Sequence, residues 1–185
     1  MEKLFEKVLD NDEKIIKVFK PNKTKLYLSH MLIVTLSFFI GAVIAVLAIM
    51  FPEEGDVTPL WYIVFPIGGF VILTLGNWIL THIYYKNVFY AYSNKRIIIR
   101  SGIFGVDYKS LDLSVIGAVN VYVSLLDKLV KKNTGSLKFG SPSSPIGGEE
   151  GSAYGFSHIT QPYETCKEIK VFIDKCKNNK TKKGE

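Results

Sequence analysis

Cysteine and histidine are scarce in this chain of 185 residues, which has two cysteines and three histidines. So few cysteines exclude a disulfide-rich secreted scaffold. None of the histidines (His30, His82 and His158) has a cysteine or carboxylate at metal-site spacing, so we predict no metal site. The sequence patterns of phosphate-binding loops, hydrolase elbows and thiol redox motifs are also missing. We therefore predict no enzymatic activity, no catalytic residues, no cofactor and no nucleic-acid partner.

Charge is missing from two long stretches. Residues 31–51 and residues 60–83 contain no Asp, Glu, Lys or Arg. As helices they would be about 31 Å and 36 Å long, at a rise of about 1.5 Å per residue. The hydrocarbon core of a bilayer is about 30 Å thick, and a domain of this size cannot bury two helices that are apolar all round. The sequence predicts a transmembrane helical hairpin over residues 31–85.

Positive and negative charges are separated around these stretches. Residues 1–30 contain seven lysines, whereas the connecting loop 52–59 contains three acidic residues and no basic one. Basic residues return after the second stretch, beginning at Lys86. Because Lys and Arg next to membrane spans stay in the cytoplasm, the sequence predicts a multi-pass protein of the cell (plasma) membrane with both termini cytoplasmic.

Residues 1–30 form a predicted N-terminal cytoplasmic segment of short amphipathic turns. Its apolar residues fall into two clusters, at residues 4–9 and 15–19, with lysines between and after them. This composition favours contact with an anionic membrane surface. The alternative is that the segment packs on the C-terminal domain.

Residues 86–177 are enough for one independent core. Short runs rich in β-branched and aromatic residues, typical of strands, occur at residues 88–92, 97–99, 106–113, 119–123, 136–139 and 153–156. A Gly/Ser/Pro-rich loop at 140–152 precedes the last run, and a polar tail is predicted at 178–185. Between the last strand and the tail, one helical face is predicted to hold Tyr163, Cys166, Ile169, Phe172, Ile173 and Cys176. The predicted fold class is an α+β membrane protein, in which the hairpin is followed by an antiparallel β-sandwich capped by a C-terminal helix.

A series of short motifs runs in order through residues 90–139. An aromatic strand is followed by SNKR, IIIRSG, LDLSVI, VYVSLL and GSL. In this order the motifs resemble the bacterial and archaeal pleckstrin-homology (PH) domains of the YdbS-like membrane proteins, although Ser93 stands where Thr is usual. The matching positions are Asn94, Arg96, Ser101, Gly102, Leu125, Leu126 and Gly135.

The resemblance implies a seven-stranded, strongly bent antiparallel sandwich closed at one end by the C-terminal helix. It also implies a binding module without enzymatic activity. We expect a domain held at the lipid bilayer, whose partner is a second copy of the chain (a homo-oligomer) or another membrane protein.

The alternative function is that of a reader of anionic lipids. Six basic residues are candidate contacts for phosphate head groups: Lys95, Arg96, Arg100, Lys109, Lys131 and Lys132. PH domains that bind phosphoinositides usually hold the phosphate with a basic loop between their first two strands, and residues 93–95 are too short for such a loop. Two simpler interpretations stay open, because residues 86–100 also serve as a topology signal and Arg96 also suits a structural role in a turn.

Overall fold

The computed structural model describes residues 2–50, 59–130, 133–142, 146 and 154–181. Residues 52–58 of the predicted connecting loop, most of the predicted loop 140–152 and residues 182–185 of the predicted tail lie outside this description. The helices within it are α1 (Lys23–Met50), α2 (Pro59–Asn87), α3 (Leu125–Val130) and α4 (Pro162–Thr181). The strands are β1 (Ile15–Phe19), β2 (Phe89–Ser93), β3 (Arg96–Ser101), β4 (Asp107–Asp112), β5 (Ala118–Tyr122), β6 (Thr134–Gly140) and β7 (Tyr154–Thr160).

The chain forms two compact units, one made of residues 26–83 and the other of residues 1–25 and 84–185. In the first unit, α1 and α2 pair in opposite chain directions. Asn77 Nδ2 donates to Met31 Sδ at 3.8 Å, and the rings of Phe38 and Phe70 lie 4.4 Å apart. Both helices are long and apolar enough to cross a membrane. In the most apolar stretch of 18 residues in each helix, only 6% of the residues are buried.

The helix α1 begins eight residues before the predicted span 31–51, because Asn22 caps it. The Asn22 Oδ1 atom accepts a hydrogen bond from the Lys25 N–H at 3.1 Å, which is the geometry of an N-cap residue. At the other end of the pair, Lys86 occupies the last turn of α2, where a cation complements the helix dipole. The predicted spans 31–51 and 60–83 therefore lie almost wholly within longer helices, which continue into charged sequence.

The second unit is a sandwich of two antiparallel sheets, with strand orders β1-β2-β3-β4 and β5-β6-β7. Phe156 of β7 lies between the sheets. Its ring is 5.0 Å from that of Tyr90 on β2 and 5.0 Å from that of Phe139 on β6. Phe19 of β1 also contacts it, at 5.9 Å. The core is therefore built around stacked and edge-on aromatic rings, which bury large apolar areas.

The helix α4 packs on this core along one face. That face is formed by Cys166, Ile169, Phe172, Ile173 and Cys176. Tyr163 was predicted on the same face, but 57% of it is exposed. Since successive helical residues are about 100° apart, Tyr163 lies about 120° from the centre of the buried stripe. The predicted presence of two apolar helices, antiparallel sheets and a C-terminal helix is confirmed.

The strand β1 comes from the chain ahead of the two long helices. It pairs with β2, so that Val18 lies opposite Ala91 and Phe19 opposite Tyr90. The prediction of amphipathic turns at residues 15–19 is therefore wrong, and the β-branched residues of this run favour the strand. As a consequence, α1 and α2 form an insertion between two neighbouring strands of one sheet.

The apolar residues at the start of the chain pack on the outer face of the same sheet. Phe5 is fully buried in a small cluster with Phe89, Ala91 and Ile98. Its ring also lies edge-on to Tyr108, at 6.2 Å. Of the two alternatives for the N-terminal segment, the described residues show packing on the C-terminal domain.

We predict that Phe5→Ala lowers the free energy of unfolding by about 3–5 kcal/mol, because it leaves a cavity in this cluster. Ile16→Ala is the matched control, since Ile16 lies on β1 but is 40% exposed, and it should cost about 1 kcal/mol or less. Urea titration of the full chain in detergent micelles, followed by pulse proteolysis, measures both. Equal losses for the two variants would contradict the placement of Phe5.

Candidate functional site

Polar contacts bind the first turn of α1 to the sandwich. Lys25 Nζ lies 3.1 Å from Asp127 Oδ1 on α3, and the two side chains are 1% and 4% exposed. Lys25 Nζ also donates to Ser124 Oγ at 2.6 Å. The carboxylate of Asp127 accepts further hydrogen bonds from the Ser124 N–H at 2.8 Å and from Thr134 Oγ1 at 2.7 Å. One buried ion pair therefore joins α1, α3 and β6.

The surroundings of Asp127 favour its charged form. Burial alone would raise the pKa of the carboxyl group, but hydrogen bonds from Ser124, Thr134 and Lys25 outweigh burial and hold the pKa below its ordinary value. Ser124 and Asp127 also form the reciprocal contacts of a capping box at the start of α3. The short helix and the ion pair therefore depend on the same carboxylate.

A second group of contacts binds the end of α2. Its last residue, Asn87, donates from Nδ2 to the carbonyl oxygen of Gly102 at 3.1 Å. Arg100 Nη1 donates in turn to the carbonyl oxygen of Asn87 at 3.0 Å. The last carbonyls of a helix lack partners within the helix, so Arg100 caps α2. Both ends of the helical insertion are thus held by side chains of the sandwich.

Cations and aromatic rings surround the contacts at the end of α2. Lys20 Nζ lies 4.4 Å from the centre of the Tyr85 ring and 4.6 Å from that of Phe89. Arg100 Cζ is 5.6 Å from the centre of the Phe89 ring. Burial lowers the pKa of Lys20. Cation–π attraction therefore holds two basic side chains beside the end of α2.

A third group of contacts fixes the N-terminal segment to the turn between β2 and β3. The carboxylate of Glu13 is fully buried and lies 2.8 Å from Arg96 Nη2. Arg96 Nη2 also donates to the carbonyl oxygen of Val8 at 2.8 Å. Burial alone would raise the pKa of Glu13, but hydrogen bonds from Arg96 and Ser93 hold it below its ordinary value of 4.5. Arg96 is thus part of a structural network in this turn.

The basic residues predicted to contact lipid head groups do not form one cluster. In β3, Arg96 and Arg100 share a face with Ile98, because side chains alternate along a strand. Lys109 lies opposite Ile99 in the β3–β4 register, so its side chain is on the other face. The sheet therefore separates Lys109 from both arginines.

The two ends of β3 separate the candidates further. Lys95 is exposed in the turn before β3, whereas Arg100 is near the other end of that strand, about 16 Å away along the chain. Lys131 and Lys132 lie outside the described residues. The structure thus places Arg100 alone of these candidates in contact with the end of α2, among the residues it describes.

The prediction that residues 93–95 connect the first two strands is also wrong. Residues 93–95 are the last residue of β2 and the two residues that join it to β3, and these are the second and third strands. The first two strands are β1 and β2, and the connection between them contains α1 and α2. The error arose because β1 precedes the uncharged stretches.

The sequence did not predict the contacts of the sandwich with the start of α1 or with the end of α2. Nothing in the sequence pairs Lys25 with Asp127, because they are 102 positions apart. A local signal did exist at Ser124 and Asp127, whose spacing is that of a capping box. Across the described parts of the chain, no group of three His, Cys, Asp or Glu residues is arranged to hold a metal ion.

The described residues form a seven-stranded antiparallel sandwich closed by a C-terminal helix, which defines a PH-like class of domain. The chain belongs to the bacterial PH domain family, whose model matches residues 31–170. The match therefore includes most of α1, all of α2 and the six strands that follow. Comparison with curated proteins and with solved structures gave no significant match.

We predict that Lys25→Met lowers the free energy of unfolding by about 3–5 kcal/mol, because it leaves the Asp127 carboxylate buried without its cation. The double variant Lys25→Met/Asp127→Asn should be more stable than Lys25→Met alone, because asparagine removes the buried charge and still presents an oxygen to the Ser124 N–H. Urea unfolding of the full chain in micelles measures the cycle, and a double variant that is no more stable than the single one would contradict this account.

The pH dependence of stability should follow the buried carboxylates. Because the pKa of Glu13 is lowered in the folded state, its contribution is complete above its unfolded pKa and is lost as the pH falls through the folded pKa. We predict that Glu13→Gln is less stable than the wild type at pH 7 and loses less stability between about pH 5 and pH 3. Parallel stability curves for the two proteins would contradict the role of Glu13.

Proposed function

We propose that this chain is an integral-membrane protein that presents its PH-like domain at the cytoplasmic face of the cell membrane. The domain serves there as a non-catalytic module for protein interaction or self-assembly. The observation that carries this proposal is the insertion of two long apolar helices between β1 and β2, with both ends bound to the sandwich. Only residues 20–22 separate β1 from α1, and only residue 88 separates α2 from β2. The proposed anchor is therefore joined to the domain by two very short connections.

Membrane insertion is supported by the exposure of the helices. The residues of a core helix in a soluble protein are mostly buried. Here only 6% of the residues are buried in the most apolar 18-residue stretch of each helix. Soluble monomers rarely expose contiguous apolar patches larger than a few hundred Å². A bilayer is the environment that covers helices of this length, since about 20 apolar residues span its core.

The proposed orientation is supported by the strand order. Because β1 precedes α1 and β2 follows α2, the pairing of these strands requires both ends of the hairpin to lie on one side of the membrane. That side carries the seven lysines of residues 1–30, and the acidic loop 52–59 is on the other. The positive-inside rule assigns the lysine-rich side to the cytoplasm.

A non-catalytic role is supported by the use of the buried charges. Glu13 pairs with Arg96, and Lys25 pairs with Asp127. Each pair joins segments that are far apart in sequence, and each carboxylate is held in its charged form by hydrogen bonds. These groups stabilise the fold and are not poised as general acids or bases near neutral pH.

Self-assembly is favoured by β5, an edge strand among the described residues. Its sequence, AVNVY, has neither charge nor proline, whereas the edge strand β4 carries Asp107, Lys109 and Asp112. Natural proteins protect edge strands with charges and proline. An edge without them is suited to adding a strand from a partner or from a second copy.

The alternative of a head-group reader has less support. Arg96 is engaged with Glu13, and Arg100 caps α2. The exposed Lys95 and Lys109 are far apart along the sheet, because Lys95 precedes β3 and Lys109 lies opposite Ile99 in its second half. Recognition of a phosphate group requires several donors that converge, and these residues do not converge.

We predict that Asn120→Lys, which places a charge at the centre of β5, reduces cross-linking of the chain into oligomers in native membranes. Val171→Lys is the matched control, because it adds the same charge at a 51% exposed position on α4. The wild type and the control should give the same discrete cross-linked species. A chain that stays monomeric in all three proteins, with no repeated partner, would count against the proposed module.

A further inference from the structure

The loop between β3 and β4 exposes an apolar tip. Phe104 is 94% exposed, more than any other large apolar side chain among the described residues. Ile103 and Val106 on either side of it are also exposed, at 38% and 42%. In water the Phe104 side chain is almost wholly unburied, so any surface that covers it must lie outside the domain.

The conformation of this loop is well specified. Gly102 has a φ of +144°, and a Cβ atom there would overlap the carbonyl oxygen of Gly105, so the turn requires glycine. The carbonyl of Gly102 accepts the hydrogen bond from Asn87. The loop is therefore fixed beside the last residue of α2. Asn87 is only about 6 Å along the helix from residue 83, the end of the second predicted span.

A second exposed apolar group lies beside the other helix end. Leu125 and Leu129 are 77% and 72% exposed, and their i, i+4 spacing puts them on one face of α3. The helix α3 also carries Asp127, which binds Lys25 in the first turn of α1. Lys25 is about 9 Å along the helix from residue 31, where the first predicted span begins.

We propose that the tip of the β3–β4 loop and the exposed face of α3 insert into the interfacial region of the bilayer. This inference rests on the proposed membrane insertion of α1 and α2, because the two groups are bound to the residues at the ends of these helices. The surface they contact is the boundary between head groups and acyl chains.

The chemistry around the loop suits this surface. Lys20 and Arg100 are held beside the end of α2 by the ring of Phe89, and Lys86 is exposed in its last turn. Aromatic side chains in the boundary with cations among the head groups are the usual composition of interfacial elements. Because apolar side chains of the loop insert into the lipid, the contact does not require a specific head group.

The test uses tryptophan fluorescence of the full chain in phosphatidylcholine/phosphatidylglycerol vesicles. The native tryptophans, Trp61 and Trp78, both lie in α2 and are replaced by phenylalanine. In that background Phe104→Trp, and separately Leu129→Trp, report on the two apolar groups. Lys95→Trp is the matched control, at the far end of β3 and about 20 Å along the chain from Gly102.

We expect lipids with a nitroxide near the head group to quench the emission of the Phe104→Trp and Leu129→Trp variants by roughly half, because interfacial elements lie about 5–10 Å deep. The Lys95→Trp control should emit as a water-exposed indole and stay unquenched. Quenching of the Phe104→Trp variant should also persist at high salt, since insertion is apolar.

Two results would overturn the inference. Unquenched emission typical of water from both the Phe104→Trp and Leu129→Trp variants would show that these groups stay in solvent. Blue-shifted but unquenched emission would show that a protein surface, such as a second copy, covers them.

A separate measurement distinguishes failure of this inference from failure of the proposed anchor. In a Trp61→Phe chain, quenching of the native Trp78 by nitroxides deep in the acyl chains tests the insertion of α2. A positive result there with a negative result for the Phe104→Trp and Leu129→Trp variants rejects this inference alone. An unquenched Trp78 rejects the proposed anchor.

Discussion

The pairing of β1 with β2 is the constraint on which the rest of this structure depends. The two strands are neighbours in one sheet, yet two long apolar helices separate them in sequence. Bringing the strands together brings the ends of both helices to the same domain. The entropic cost of closing a longer connection grows only slowly with its length, and α1 and α2 further shorten the flexible part by packing antiparallel. The sheet therefore accommodates a long helical insertion between two of its neighbouring strands.

Buried polar contacts then fix each helix end in one place. The Lys25–Asp127 pair is almost fully removed from solvent, and a buried ion pair is weak evidence for added stability. The pair does define one position for the first turn of α1, because Lys25 contacts both Ser124 and Asp127 at the start of α3. At the other end, Asn87 and Arg100 combine a cap of α2 with a fixed turn at Gly102. The same contacts that hold the helices also place Phe104 beside the helix end.

Much of the fold could be predicted from the sequence because its signals are local. The uncharged stretches predict the two helices, and the runs of β-branched and aromatic residues predict β2 to β7, although the run at 153–156 reaches only the first half of β7. The strand β1 was missed because a run of five residues with two lysines nearby also suits an amphipathic helix. The candidate site was less predictable. Whether Arg100 and Lys109 share a face depends on strand register, and the partner of Lys25 depends on tertiary packing.

The central claim is that both ends of the hairpin lie on one side of the membrane, and thiol labelling in intact cells tests it most directly. Single cysteines at Lys14, Glu54 and Lys109, in a chain whose Cys166 and Cys176 are replaced by alanine, would be exposed to a maleimide that cannot cross the membrane. The account predicts labelling of Glu54→Cys in intact cells, and of Lys14→Cys and Lys109→Cys only after permeabilisation. Labelling of Lys14→Cys and Lys109→Cys from opposite sides would contradict it, because strands on opposite sides of a bilayer cannot pair.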